Sequence, residues 1–233
     1  MAFGRALRLP DRYFDVWREP FHERLRAVLA PGAVVLDAGS GRSPAVPTDL
    51  RPANCYYVGL DVSAEELALA PSDAYDDVVV ADLLALDPTL YETFDVVVSW
   101  QVLEHVRSLP VALDTIQRYL KPGGYLVAQL SGRWAAFAVL NRMVPHSLGA
   151  RIMRRFLKRE PDTVFRAYYD HATMSGIAGA LDAWRDVEII PRYRGGTYFA
   201  PLPIAQRLYF ADEEWAQERH ANLATHYLVV AKK

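Results

Sequence analysis

Short apolar runs alternate along the chain with longer segments of helical periodicity, and this alternation predicts an α/β protein. The apolar runs are rich in β-branched and aromatic residues, which is typical of strands covered on both faces in a parallel sheet. Strands are predicted at residues 33–36, 56–60, 77–80, 94–99, 125–130, 187–190 and 226–231. Helices are predicted at residues 11–30, 110–120, 172–184 and 204–219, with a loop at 195–203.

The rhythm changes after Leu130, where arginines become frequent. We expect one domain over residues 1–233, with a helical lid that binds the acceptor inserted after the fifth strand. Its predicted parts are an N-terminal helical segment (1–30), a cofactor-binding core (31–131), the lid (132–185) and the closing strands and helix (186–233). Within the lid, Arg151, Arg154, Arg155 and Lys158 form either a solvated helix face or a surface for an anionic substrate or a membrane.

Composition and charge limit the function classes. The net charge of -2 lacks the basic excess of most nucleic-acid-binding proteins, so no nucleic-acid partner is expected. The single Cys55 excludes an internal disulfide and a cysteine-rich zinc site, and we expect no metal. Neither a signal peptide nor an apolar run of membrane-spanning length is recognised. We therefore expect a cytoplasmic protein without integral membrane association.

A glycine-rich turn follows the first predicted strand in the sequence Asp37-Ala-Gly39-Ser40-Gly41. Glycine adopts backbone angles that side chains forbid, and it lets a ligand approach the main chain. An adenosine-type cofactor docks at this end of a first parallel strand. Asp61 ends the second strand, 20 positions after Gly41, where an acid can accept hydrogen bonds from both ribose hydroxyls. These features alone would also suit a dinucleotide dehydrogenase.

Three details favour S-adenosylmethionine over a dinucleotide. The carboxylate of Asp37 would repel a pyrophosphate, whereas it could bind the ammonium of S-adenosylmethionine directly or through water. Asp82 ends the third strand, where it can accept from an adenine amino group. The segment 94–106 then follows at the end of the fourth strand.

In their order and spacing, these segments resemble the successive motifs of class I S-adenosylmethionine-dependent methyltransferases, in particular the type 11 subgroup. Residues 119–126 resemble the family's sequence before its fifth strand, and the resemblance covers about residues 30–130. It implies a Rossmann-like, seven-stranded, mostly parallel sheet with helices on both faces, and S-adenosyl-L-methionine as cofactor. One departure is Ser43, followed by Pro44, where the family often has glycine.

The resemblance also implies a set of cofactor contacts. Asp37 and the glycine turn would line the methionine end, the acid after the second strand would hold the ribose, and the residues after the third strand would surround the adenine. Gln101 would lie near the sulfonium and the acceptor. The predicted cofactor-binding residues are Asp37, Gly39, Ser40, Gly41, Asp61, Val62, Asp82, Leu83, Ser99 and Gln101.

The reaction is a nucleophilic displacement at the methyl carbon of a sulfonium, so the protein contributes largely by aligning the reactants. A hydroxyl acceptor would also benefit from a general base. The catalytic candidates are His105, His171 and Tyr168, each of which could instead only pack. Arg166 and Tyr169 join Tyr168 and His171 as candidates at the acceptor's entrance.

We expect methyl transfer to a small-molecule acceptor, with oxygen preferred over carbon and nitrogen as the accepting atom. An O-methyltransferase of a tailoring or biosynthetic pathway is the first hypothesis, by fold-level analogy. A lipid or quinone acceptor is the alternative within enzymes, and the acceptor could be anionic or lipid-linked. A non-catalytic regulatory module that binds S-adenosylmethionine is the alternative of another class. A homodimer is compatible with the sequence.

Overall fold

A seven-stranded sheet forms the centre of the computed structural model, which describes residues 9–135, 138–139, 166–200 and 202–233. The strands are β1 (Val34–Ala38), β2 (Tyr56–Asp61), β3 (Asp77–Val80), β4 (Phe94–Trp100), β5 (Leu120–Ser131), β6 (Arg185–Arg192) and β7 (His226–Lys232). Their order in the sheet is β3-β2-β1-β4-β5-β7-β6. The predicted seven-stranded, Rossmann-like sheet is thereby confirmed.

Strands β1 to β5 are parallel, whereas β7 runs antiparallel between β5 and β6. The carboxyl ends of the five parallel strands therefore lie along one edge of the sheet, called here the carboxyl edge. Because β7 is antiparallel, it begins at this edge, where His226 pairs with Ser131 on one side and with Arg192 on the other. The ends of β1 to β6 and the start of β7 thus lie along the edge where such sheets bind their ligands.

Helices cover both faces of the sheet, as predicted. The helices of the described residues are α1 (Glu19–Val28), α2 (Ala64–Ala68), α3 (Leu109–Tyr119), α4 (Met174–Ala180) and α5 (Pro203–Arg219). Successive side chains of a strand point to opposite faces. Val35 accordingly packs with Phe21 of α1, whereas Leu36 packs in a separate cluster with Leu113 of α3.

The predicted single helix over residues 11–30 is wrong. A short 3-10 turn covers Asp11–Tyr13, and α1 begins only at Glu19. Pro20 lies in the first turn of α1, the place in a helix where a residue without an N–H group is tolerated. Trp17 consequently precedes the helix, and its ring lies 4.8 Å from that of His226 at the carboxyl edge.

Two other predictions have different outcomes. Strand β5 begins at Leu120, because that residue already pairs with Phe94 before a bulge. The predicted start at residue 125 was therefore too late. The predicted helical lid falls mainly on residues 140–165, outside the described residues, as do its basic positions. In the described part of the chain, no helix is long and apolar enough to cross a membrane.

Candidate active site

The glycine turn at the end of β1 is fixed to β2 by two main-chain hydrogen bonds. The N–H groups of Gly39 and Ser40 donate to the carbonyl of Leu60 over 2.7 and 3.1 Å. Gly39 has a φ of +80°, and a Cβ atom there would lie 2.2 Å from Cγ1 of Val102. Both the backbone angle and the contact therefore require glycine at this position.

Asp61 joins the end of β2 to this turn, as its spacing predicted. Its Oδ2 accepts from the N–H of Gly41 over 3.0 Å, and its Oδ1 accepts from the N–H of Ser63 over 2.9 Å. A carboxylate has about four lone-pair positions. Two lone-pair positions of the Asp61 carboxylate thus stay available beside the turn. A ribose requires two such positions, because each of its two hydroxyls donates one hydrogen bond.

Asp37 lies beneath the turn and is 1% exposed. Its Oδ2 accepts from the hydroxyl of Tyr57 over 2.6 Å and from the N–H of Ala45 over 2.7 Å. Burial raises the pKa of this carboxyl to about 6, although both hydrogen bonds act in the opposite direction. The observed contacts hold the loop after the glycine turn in place, while contact with the methionine end of a cofactor stays a prediction.

The remaining predicted cofactor residues differ in exposure. Val62 is 59% exposed at the rim, whereas Leu83 is 4% exposed and packs in the core. Asp82 accepts from the N–H of Leu84 over 2.9 Å and closes a local turn. The hydroxyl of buried Ser99 donates to the carbonyl of Ala38 over 3.0 Å, which ties β4 to β1.

Gln101 follows β4 with a φ of +58°, a conformation that is uncommon for a residue other than glycine. Its main-chain N–H donates to the carbonyl of Gln129 over 2.7 Å, and its Oε1 accepts from the hydroxyl of Ser131 over 2.7 Å. Its Nε2 is buried and has no partner among the described residues. A strained residue with an unpaired donor at this edge fits a place where a polar ligand completes the hydrogen bonding.

His105 is the last residue of a 3-10 turn, Leu103–His105. This turn contacts the segment that begins at Arg166, the first described residue after position 139. Nδ1 of His105 lies 3.1 Å from the carbonyl oxygen of Arg166. Since a carbonyl can only accept, the neutral ring carries its proton on Nδ1 and its lone pair on Nε2. Next to it, burial raises the pKa of Glu104, which is 3% exposed.

The other catalytic candidates lie on the same following segment. The carbonyl of Glu104 accepts from the N–H groups of Tyr168 and Tyr169, so this segment packs against the turn that contains His105. The hydroxyl of Tyr168 accepts from Nε of Arg107 over 3.3 Å. Nδ1 of His171, on a half-exposed side chain, lies 2.9 Å from Oδ1 of the neighbouring Asp170. Tyr169, a candidate for the acceptor's entrance, is instead 2% exposed in the core.

Sequence reasoning missed an aromatic group at the carboxyl edge. The rings of Trp17 and Trp100 lie 6.4 Å apart, and the guanidinium of Arg18 stacks over the ring of Trp100 at 4.6 Å. His226 adjoins Trp17, and burial, followed by the charges of nearby arginines, lowers its pKa to about 3. No motif marks these residues, and the incorrect helix over 11–30 concealed the position of Trp17.

Comparison with known proteins agrees with this geometry. A family model described as a methyltransferase domain matches residues 11–173. The ubiquinone biosynthesis O-methyltransferase of Rhodopseudomonas palustris (strain BisB5) is 32% identical over 108 residues, which are 44% of this chain and 40% of that protein. A protein of the same name from Albidiferax ferrireducens is 26% identical over 228 residues, 88% of this chain and 82% of its own length.

Among solved structures, an S-adenosylmethionine-dependent methyltransferase from Mesorhizobium loti matches with a TM-score of 0.53 and 18% identity. The match covers 91% of this chain and 96% of that one, and at this identity it shows a shared fold. The match to the family model rests on sequence, and its range of residues 11–173 includes the glycine turn, Asp61 and Gln101. The chain therefore belongs to the methyltransferase-domain family, the S-adenosylmethionine-dependent methyltransferases of Rossmann-like fold.

Proposed function

We propose that this chain transfers the methyl group of S-adenosylmethionine to a hydroxyl oxygen of a small-molecule acceptor. The observation that carries the proposal is the convergence of the glycine turn, Asp61 and Gln101 at one edge of the sheet. Similarity to proteins named O-methyltransferases supports oxygen as the accepting atom. The name of these relatives also keeps a quinone-related acceptor as the principal alternative.

The cofactor would bind over the turn. Gly39 and Gly41 would admit it close to the main chain, and Asp61 would accept from its ribose hydroxyls. When bound, S-adenosylmethionine supplies a methyl group on a positively charged sulfur, so the leaving group needs no further activation. The residues of the chain then mainly orient the acceptor and exclude water.

His105 is the favoured group to take the proton from the acceptor's hydroxyl. The carbonyl of Arg166 accepts from its Nδ1, and this places the lone pair of the neutral ring on Nε2. His171 and Tyr168 stay secondary candidates, because their described bonds are to Asp170 and Arg107 at the surface.

Binding and turnover test the proposal separately. Calorimetry should detect binding of S-adenosylmethionine and S-adenosylhomocysteine but not of NAD. Transfer of a labelled methyl group should then be measured with alcohols, phenols, catechols and quinols. Binding of NAD alone would contradict the cofactor assignment. Equal binding of the two adenosyl ligands without turnover on any acceptor would favour the regulatory module.

Replacement of Asp61 by alanine tests the ribose contact. Loss of a carboxylate that accepts from two hydroxyls should weaken S-adenosylhomocysteine binding by about 2 to 3 kcal/mol, roughly 100-fold. Asp87→Ala is the matched control, because Asp87 accepts from the N–H and hydroxyl of Thr89 in a surface turn outside the site. Unchanged affinity in a folded Asp61→Ala protein would remove Asp61 from the site.

A further inference from the structure

Helix α5 holds two buried polar residues on its inner face, Gln206 and Glu213. Nε2 of Gln206 donates to the carbonyl of Gly196 over 3.0 Å, and Oε1 of Glu213 accepts from the N–H of Gly195 over 2.6 Å. The hydroxyl of Tyr13 also donates to the Glu213 carboxylate over 2.6 Å. Hydrogen bonds therefore fix the inner face of α5 to the rest of the protein.

The outer face of α5 is apolar. Ile204, Leu208 and Trp215 are 78%, 69% and 45% exposed, and the exposed Ala211 lies between the last two. A surface helix of a globular protein typically directs such side chains toward the core. Of the other described helices, α1 exposes no large apolar side chain and α3 exposes Val111 alone. The contiguous apolar surface of α5 therefore indicates an interaction site.

The four outer residues form one narrow stripe, called here the α5 stripe. They occupy positions 204, 208, 211 and 215, which are separated by four, three and four residues. Since successive residues of a helix are about 100° apart around its axis, the four positions fall within about 60°. Alternating steps of four and three residues are the spacing by which helices pack in a coiled coil. The α5 stripe is thus typical of a helix that packs against another helix.

A second copy of α5 fits the stripe when the two helices run antiparallel. A two-fold axis at the level midway between positions 209 and 210 places Leu208 opposite Ala211 of the partner subunit. It also places Ile204 opposite Trp215 of the partner subunit. Every residue of the stripe then faces another residue of the stripe, as a two-fold interface requires.

The charges beside the stripe are complementary in this arrangement. Arg207 and Glu214 lie on the same side of the stripe, since they are seven residues apart in the helix. The two-fold axis keeps these sides together, so Arg207 lies opposite Glu214 of the partner subunit, and the pair occurs twice. Within one chain the Glu214 side chain is 61% exposed, and its contact with Arg12 is 3.7 Å long. Charged pairs at such flanking positions determine the orientation of packed helices.

The same flanks disfavour a membrane surface as the occupant. Amphipathic helices that lie on membranes carry mainly lysine and arginine beside their apolar face, which attracts anionic lipids. Beside its stripe α5 carries more exposed acids than bases: Asp212, Glu214 and Glu218 against Arg207 and Arg219. An anionic membrane would repel this acidic excess, whereas a second α5 supplies the opposite charge at the right position.

We propose that two copies of this chain associate through the α5 stripe, with their helices antiparallel about a two-fold axis. Burial of the exposed isoleucine, leucine and tryptophan side chains drives the association. The two pairs of Arg207 with Glu214 of the partner subunit fix its orientation. Because α5 is only about 25 Å long, the contact is small and the dissociation constant should be micromolar. The inference goes beyond the proposed methyl transfer, whose residues all lie in one chain.

Sedimentation equilibrium tests the association over about 1 to 200 µM protein, where the wild-type protein should show a monomer–dimer equilibrium. Leu208→Glu should raise the dissociation constant at least about tenfold, because it places a charge in the apolar contact. Val111→Glu is the matched control, since it puts the same charge on an exposed apolar residue of α3. It should leave the dissociation constant unchanged. A wild-type protein that stays monomeric throughout this range would overturn the proposal.

Charge reversal tests the antiparallel arrangement. Arg207→Glu and Glu214→Arg should each weaken the dimer severalfold, since like charges then face each other. The double variant should recover the wild-type dissociation constant, and so should an equimolar mixture of the two single variants. Because Glu214 also contacts Arg12, the recovery rather than the single losses decides. Dimers that show no recovery in either case would overturn the arrangement.

Flotation with vesicles of phosphatidylcholine and phosphatidylglycerol tests the other occupant. The wild-type protein should not float with the vesicles. Vesicle binding that Leu208→Glu abolishes would overturn the proposal in favour of a membrane surface. Thermal denaturation of dilute protein serves as the folding check, and Leu208→Glu should keep the wild-type midpoint because Leu208 is exposed in the monomer.

Discussion

The two halves of the carboxyl edge are built differently. In the half formed by β1 to β3, carboxylates such as Asp37 and Asp61 accept hydrogen bonds from main-chain N–H groups of adjacent loops. In the half formed by β4 to β7, arginines such as Arg192 donate to neutral carbonyl and amide oxygens. Both halves keep unpaired polar atoms among the described residues: the hydroxyl of Ser40 in the first, and Nε2 of Gln101, Nε2 of Gln129 and Oε2 of Glu104 in the second. The two halves therefore differ in the chemistry of their observed bonds: carboxylates accept from the main chain in the first, and guanidinium groups donate to neutral oxygens in the second.

The largest expected effect tests how rigid the first half is. Gly39→Ala places a Cβ 2.2 Å from Cγ1 of Val102 and forces alanine into a φ of +80°. We expect a loss of about 3 kcal/mol or more in the free energy of unfolding, from overpacking and left-handed backbone together. Chemical denaturation measures the loss, and calorimetry should show loss of S-adenosylhomocysteine binding.

Gly32→Ala is the matched control for this change. Gly32 has a φ of +77°, but a Cβ there would meet nothing within 4 Å. It should therefore lose only about 1 kcal/mol, the backbone contribution alone. In the double variant Gly39→Ala with Val102→Ala, removal of both Cγ atoms should recover part of the lost stability. Equal losses in the two single glycine variants would show that the contact with Val102 does not matter.

The second prediction concerns Asp37, the buried carboxylate of the first half. Burial raises the pKa of Asp37 from 3.8 to about 6 in the folded protein. Between these values the folded state binds more protons than the unfolded state, so the contribution of Asp37 to stability falls as the pH rises from about 4 to about 6. The change should be on the order of 3 kcal/mol. Asp37→Asn should remove this slope, measured by denaturation at each pH.

Asparagine suits this test because both hydrogen bonds to Asp37 end on a single oxygen, which the amide keeps. Asp95→Asn provides a control of opposite sign. The pKa of Asp95 is lowered, because the hydrogen bonds from Lys121 and Val34 outweigh the effect of burial. Its contribution is present above the unfolded pKa and is lost as the pH falls. An identical pH profile in the wild-type protein and in Asp37→Asn would contradict the raised pKa of Asp37.

Much of the first half could be predicted from the sequence because its parts are close together in the chain. The turn at Gly39 and Gly41 follows directly on an apolar strand, and Asp61 comes at the end of the next one. Parallel pairing of β1 and β2 then brings these residues together without any further information. The cofactor contacts of these residues stay predictions, although their proximity is observed.

The second half could not be predicted in this way. Its residues come from distant parts of the chain and meet only because β7 runs antiparallel between β5 and β6, which aligns Ser131, His226 and Arg192. Trp17 joins them because Pro20 delays the start of α1. Neither an arginine at a strand end nor a tryptophan before a helix is a motif. Composition and spacing therefore do not indicate that these residues lie close together.

The smallest expected effect concerns Gln101, which lies where the two halves meet. Its φ of +58° is unfavourable for a residue with a side chain, so Gln101→Gly relieves strain but also removes the bond to Ser131. The two effects should nearly cancel, leaving the free energy of unfolding within about 1 kcal/mol of wild type. Methyl transfer should nevertheless fall about tenfold or more, because the buried amide would no longer orient a ligand.

Asn54→Gly separates backbone relief from the function of the side chain. Asn54 has the same φ of 58° but lies in an exposed turn before β2. Asparagine tolerates this conformation better than glutamine, so the change in stability should be a few tenths of a kcal/mol at most. Its methyl-transfer rate should stay at the wild-type value. Full activity of Gln101→Gly would mean that the side chain of Gln101 does not bind a ligand and that its strained backbone only connects β4 to the residues that follow. The part of the edge that contributes to methyl transfer would then end at Trp100.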